Sequence, residues 1–320
     1  MKRVRVLLLS ALLGAMLPGQ ESAPESPAGP VMHYLTVAGL GGEPEYEERF
    51  SGWAKDADKI LKGSRARSVV TLFGAAATRQ AIREHLATLA RQAGPEDGLV
   101  VMLIGHGTFD GHDYRFNLPG PDITGTELAA LLEPVPARRQ LVVNMTSASG
   151  AALQQLARKE RVVISATKSG TEKNATIFAR YWVDALRDPA ADTDHNEAVT
   201  ALEAYRYAVR KTAAFYETQK RLATEHPLLE DTGEGEGARE PSPENGWGML
   251  AANFTILRFG AAQEAARDPE KQKLYARKEE LEQEIDNLKY RKAAVPAQDY
   301  RKQMRALLLE LAATQAELDK

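Results

Sequence analysis

His106 stands between Gly105 and Gly107 at the end of an apolar run, 99–104, and a second apolar run, 140–144, leads into Met145-Thr146-Ser147-Ala148-Ser149-Gly150. A histidine and a hydroxyl at neighbouring strand ends are the minimum for nucleophilic acyl transfer. The imidazole takes the hydroxyl proton, the oxygen attacks a carbonyl, and nearby amides hold the oxyanion. Flanking glycines let the backbone turn sharply and expose those amides. The plainer reading is a surface or capping histidine. Thr146 and Ser149 flank Ser147 as alternative nucleophiles, but turn and helix capping also accounts for them, with Ser149-Gly150 opening a helix. Asp110 and Asp113 follow His106 closely enough to hydrogen-bond it, and His112 lies between them; a hydrophilic loop carries such residues routinely. The chain contains no cysteine. That excludes disulfides, thiolate metal sites, iron–sulfur clusters and every thiol nucleophile.

A second group of chemically capable residues lies in Asp192-Thr193-Asp194-His195-Asn196-Glu197-Ala198-Val199-Thr200-Ala201-Leu202-Glu203. Asp192, Asp194, Asn196, Thr200 and Glu203 fall at positions one, three, five, nine and twelve of a calcium-binding EF-hand loop, with apolar Val199 at eight. The glycine of position six is replaced by Glu197, which would have to adopt the left-handed turn at a cost on the order of 1 kcal/mol. Asp188-Pro189 interrupts the incoming helix, so only half a hand is visible. A helix start capped by an acidic first turn is the competing account.

The elements that position these groups follow from periodicity. Short apolar runs at 33–38, 68–73, 99–104, 140–144 and 161–166 alternate with helical patterns, as in a mainly parallel sheet with crossover helices. Ile82, Leu86 and Leu89 repeat at helical spacing and stop at Gly94-Pro95. Thr124 and Glu127 make a capping box ahead of Leu128, Leu131 and Leu132. In such open sheets ligands bind beyond the carboxyl ends of the strands, where His106 and Ser147 emerge.

The order of apolar strand, Gly-His-Gly, apolar strand, then a nucleophile followed by x-Ser-Gly resembles the legumain group of cysteine endopeptidases, relatives of caspases and gingipains. Val37-Ala38-Gly39, Phe116-Asn117-Leu118-Pro119, Val163-Ile164-Ser165-Ala166, Phe178-Ala179-Arg180-Tyr181 and Glu203-Ala204-Tyr205 extend the resemblance over 31–229. It implies a caspase-like α/β fold, a mainly parallel sheet flanked by helices, with His106 as general base and the amides of Gly107 and Ser147 as oxyanion donors. The family's cysteine falls on Ser147. A thiol ionises near neutrality, whereas a serine hydroxyl needs a well-aligned base. The family's Asn-Tyr-Arg-His is set against Glu45-Tyr46-Glu47-Glu48. Either the orienting and specificity residues are lost, or Glu45 orients His106 while Glu47 and Glu48 line a pocket for a basic side chain. A solvated helix start is the bland alternative.

Around this body, Lys2, Arg3 and Arg5 precede the apolar run 6–17, so 1–23 reads as an export signal and 24–30 as a linker, with an uncleaved N-terminal anchor as the alternative. Residues 230–247 read as a mobile acidic, glycine-rich loop and 248–261 as a strand and connector. Residues 262–320 read as an α-helical hairpin broken at Pro296. Leu274, Leu281, Ile285 and Leu288 form one stripe, and Met304, Leu307, Leu308, Leu311 and Leu318 the other. Lys278, Glu279, Glu280 and Glu282 read as a solvated face. Docking on the body and self-association through the hairpin are equally open.

The chain has 320 residues, 43% hydrophobic, enough for about two domains and a sizeable core. A net charge of −3 offers no global positive field for nucleic acid or acidic lipid. The expectation is therefore an exported, periplasmic or secreted, peptidase-fold protein that binds peptide segments with impaired catalysis. The alternatives are an active endopeptidase using a Ser147/His106 dyad and a structural cell-envelope module. No cofactor is required, calcium is the one ion with candidate ligands, and the partner is a peptide or protein.

Overall fold

The computed structural model describes residues 31–64, 68–264 and 268–319. The expected signal and linker lie outside the described residues. In chain order the strands are β1 (Met32–Ala38), β2 (Ser68–Leu72), β3 (Gly98–Gly105), β4 (Gly107–Phe109), β5 (Tyr114–Phe116), β6 (Ile123–Thr124), β7 (Arg139–Thr146), β8 (Arg161–Ser165), β9 (Ala198–Thr200), β10 (Leu228–Glu230) and β11 (Thr255–Arg258). The helices are α1 (Pro44–Gly63), α2 (Arg79–Gln92), α3 (Gly125–Leu132), α4 (Leu153–Leu156), α5 (Phe178–Ala185), α6 (Ala201–Thr218), α7 (Met249–Ala252), α8 (Gly260–Glu264), α9 (Pro269–Tyr290) and α10 (Ala297–Leu318).

The five runs expected to be strands are β1, β2, β3, β7 and β8, which run parallel in one sheet of order β10-β8-β7-β3-β1-β2, with β10 antiparallel at the edge. Both faces are covered, so these strands read as near-continuous apolar runs. Val100, Met102 and Ile104 of β3 face α1, α5 and α6 through Phe50, Leu61, Trp182 and Tyr205. Leu99, Val101 and Leu103 face α2, α3 and α4 through Ile82, Leu86, Leu132 and Leu156. At the start of α3 only half of the expected box forms: the Thr124 hydroxyl accepts the Glu127 N–H, while the Glu127 carboxylate faces Arg79 and Arg83; Thr200 and Glu203 form a reciprocal box on α6.

Three readings of the sequence need correction. The 230–247 segment is fastened rather than loose. Buried Glu230 accepts the N–H groups of Thr232, Gly233 and Glu234 through Oε1, and buried Asp231 accepts those of Gly248, Leu250 and Ala251. On α9, Glu279 and Glu282 face the body instead of solvent. Glu279 meets Thr255 and Arg258, and Glu282 Oε2 accepts from Asn196 Nδ2 at 3.1 Å. A charged stripe is solvated only while nothing polar waits beneath it, and here β11 and the 192–203 loop supply partners. On α10 Thr314 is buried while Leu308 is half-exposed, so the packed stripe is displaced from the apolar one. The hairpin itself is as expected: α9 and α10 pack on one another, with Leu281, Ile285, Leu288 and Leu318 buried. No helix of the described residues is long and apolar enough to cross a membrane.

Candidate functional site

The parallel register pairs Gly105 of β3 with Thr146 of β7, so His106 and Ser147 leave adjacent strand ends. The approach there is closer than any side chain at 107 permits. A Cβ on Gly107 would lie 2.5 Å from the Ser147 carbonyl oxygen and 2.6 Å from Tyr114 Cε2. Glycine at 107 is thus demanded by the close approach of the start of β4 to the end of β7 and to Tyr114 of β5, as much as by any exposed amide.

The two side chains do not address each other. Ser147 is 2% exposed; its Oγ donates to the Gly107 carbonyl and accepts the Gly107 N–H, both at 3.1 Å. The amide that would hold an oxyanion is therefore spent on the serine. His106 is half-buried, its ring edge-on to Tyr46 at 4.9 Å and to Phe50 at 5.0 Å. Burial pulls its pKa below the usual imidazole range; the Gly41 carbonyl opposes this, Arg49 adds to it and Glu43 opposes. That shift favours the neutral imidazole, which can accept a proton, but no hydroxyl is presented to it among the described residues.

Neighbouring hydroxyls are similarly engaged. Thr146 Oγ1 lies 2.6 Å from Tyr114 Oη and donates to Asn144 Oδ1 at 2.8 Å. Burial raises the Tyr114 pKa, so it stays a phenol. Ser149 Oγ accepts the N–H groups of Ala166 and Thr167, tying the loop after β7 to the end of β8. Asp110 closes the β4–β5 turn by accepting from the amides of His112 and Asp113 and pairing with Arg115, which holds its carboxyl far below the usual range; none of these groups turns to His106.

The glutamates at the start of α1 take structural posts. Glu45 is exposed and pairs with Arg49 at 3.5 Å across one helical turn, so it does not orient His106. Glu47 Oε2 accepts the Gly41 N–H at 2.9 Å, and Glu48 is exposed. The wall beside His106 is aromatic and cationic instead. The Arg49 guanidinium lies 5.4 Å from the Tyr46 ring centroid and 5.3 Å from that of Trp53, with Leu40 exposed nearby in sequence. Sequence reasoning missed Glu43 as the acidic neighbour of His106, and missed the loop after β8. There the Glu172 carbonyl accepts from Ala148 N–H at 2.8 Å, and its carboxylate lies 2.5 Å from His226 Nδ1. Only the aromatic spacing Tyr46, Phe50, Trp53 on one side of α1 could have signalled the wall.

The acidic loop holds its own geometry. Ligand oxygens of Asp192, Asp194 and Glu203 lie within 4.8 Å of one another. Asp192 accepts the N–H groups of Asn196 and Glu197, and Glu197 takes the left-handed conformation at φ 65°. Burial and the Glu203 and Asp192 carboxylates push the Asp194 pKa up, and burial, with Asp194 beyond it, takes Glu282 to about 7. Asn196 Nδ2 reaches both Asp194 and Glu282. These residues could hold a hard divalent cation through carboxylate and amide oxygens; Glu203 also completes the α6 capping box, so its carboxylate serves the helix start as well.

No protein-family model and no curated protein matches the chain. Among solved structures, protein GSU0716 of Geobacter sulfurreducens aligns with a TM-score of 0.42 and 15% identity over 65% of this chain and 97% of its own. The Drosophila initiator caspase Dronc aligns with a TM-score of 0.42 and 9% identity over 65% of this chain and 81% of its own. No residue's role passes to this chain from either.

Proposed function

We propose that this chain is an exported, caspase- and legumain-like protein that binds peptide segments beyond the carboxyl ends of β1, β3 and β7 without cleaving them. One observation carries the proposal: the Ser147 hydroxyl and both polar groups of the Gly107 backbone form a closed, buried pair. For Ser147 to attack a carbonyl, its proton would have to go to His106 instead of Gly107, and the Gly107 amide would have to release Oγ to receive an oxyanion. Two satisfied hydrogen bonds, each worth about 1 kcal/mol net, oppose that change before any chemistry begins. A peptide can still lie along the aromatic wall of Tyr46 and Trp53, with Arg49 exchanging its surface pairing with Glu45 for a carboxylate or backbone carbonyl.

The test is retention without turnover. Peptides from a diverse library should be recovered bound to the protein and intact by mass spectrometry, and Trp53→Ala should reduce retention on the order of tenfold by removing a stacked aromatic surface. The rival reading, an endopeptidase using Ser147 and His106, requires cleavage that Ser147→Ala abolishes.

A further inference from the structure

The C-terminal hairpin carries a face that neither the α/β body nor α9 uses. Leu308 is 50% exposed and Leu309 62%. Together with Tyr300, Arg301, Met304 and Arg305 they line a single open hollow along α10. The turn between the two helices and the first turns of α10 are basic: Arg291 and Lys292 in the turn and Arg301, Lys302 and Arg305 on the helix are all exposed, and among the described residues no ion pair reaches them. Three of the hairpin's acidic groups are engaged elsewhere, Asp286 with Lys289 and Glu280 and Glu310 with Arg277. Asp299 lies two residues before Arg301 and so roughly 200° around the helix from it. In a chain of net charge −3 this tip is a local inversion of sign.

The same helical face thus presents guanidinium groups in its first turns and leucines in the next. We infer that it docks on an anionic phospholipid surface, α10 lying in the interface with Arg301 and Arg305 at the phosphates and Leu308 and Leu309 among the upper acyl chains. Basic side chains flanking an exposed apolar ridge are the combination such surfaces bind, each Lys or Arg adding attraction that falls off within a Debye length. A second copy of the chain fits less well, because bringing two such tips together opposes like charges. A nucleic acid would match the charge but leave both leucines against a polyanion. The export expected from the N-terminal sequence would bring the chain to a membrane, where this lipid chemistry is at hand.

The absence of cysteine allows a local test in the full chain. Leu309→Cys, at an exposed position, is labelled with an environment-sensitive fluorophore and titrated with vesicles of phosphatidylglycerol or of phosphatidylcholine. The expected result is a blue shift with phosphatidylglycerol alone, reversed by high salt and weakened on the order of a hundredfold by adding Arg301→Glu and Arg305→Glu. The same label on Glu84→Cys, on the exposed side of α2, is expected to stay unshifted. No shift with phosphatidylglycerol, an equal shift with phosphatidylcholine, or a shift of the α2 label would overturn the inference. So would a shift that grows with protein concentration without lipid, which would assign the face to a second copy.

Discussion

Ser147 fills its site with one small hydroxyl that serves both a donor and an acceptor of Gly107. Ser147→Ala should therefore lower stability by about 1–3 kcal/mol, since a buried N–H and C=O lose their partner together, and the midpoint of urea unfolding measures it. Gly107→Ala should be worse, because its Cβ would meet the Ser147 carbonyl oxygen at 2.5 Å and the buried Tyr114 ring at 2.6 Å, neither of which can move aside as a flexible side-chain end could. Glu225 gives a pH signature. Burial raises its pKa to about 7, even though it accepts from the Ile177 and Phe178 amides and from Tyr216. A carboxyl whose folded pKa lies above its unfolded one favours folding fully below the unfolded value and loses that contribution as pH rises through the folded value. Stability should then decline between about pH 4.5 and 7, and Glu225→Gln should flatten that decline; a slope unchanged in the variant would place its cause in other groups. At this scale the sequence made the adjacency of the strand ends that carry His106 and Ser147 legible, because both runs are strands of one parallel sheet. The direction of one hydroxyl proton was not, since it depends on a backbone approach that no spacing encodes. Nor was Glu45's attachment to Arg49 instead of His106, for which helical geometry alone was the better guide.

The 192–203 loop joins α6, β9 and the hairpin, and its behaviour is an element-scale question. Calcium should raise the melting temperature of the native chain and leave Asp192→Ala unmoved; equal shifts in both would assign the effect elsewhere. Asp192→Ala should itself lower the melting temperature, because the Asn196 and Glu197 amides lose their acceptor while Glu197 is held at positive φ. The hairpin's attachment is similarly testable. Leu281 is fully buried, and Leu281→Ala should cost about 2–5 kcal/mol of stability, read from thermal unfolding followed by circular dichroism. The long strands and helices were legible because a buried strand or amphipathic helix leaves a repeating apolar pattern. β4, β5, β6, β9 and β10, two or three residues each, are too short to show a period, and tertiary pairing alone makes them strands. The misread faces of α9 and α10 have one cause: periodicity says which residues share a side of a helix, and only the neighbour decides which side is inside.

On the scale of the whole molecule, a doubly covered parallel sheet brings a histidine, a serine and an aromatic wall to one edge, while a helical hairpin closes over an acidic loop at another place on the body. The architecture is a mainly parallel, doubly covered α/β sheet, and the local bonding at its strand ends ties the Ser147 hydroxyl to Gly107. The direct measurement is a mass-spectrometric survey of a diverse peptide library incubated with the native chain and with Ser147→Ala, each with and without calcium. The account predicts that peptides are bound by both and cut by neither. Cleavage by the native chain that disappears in Ser147→Ala would contradict it, and would mean that ligand binding itself pulls the Ser147 hydroxyl away from Gly107 and toward His106.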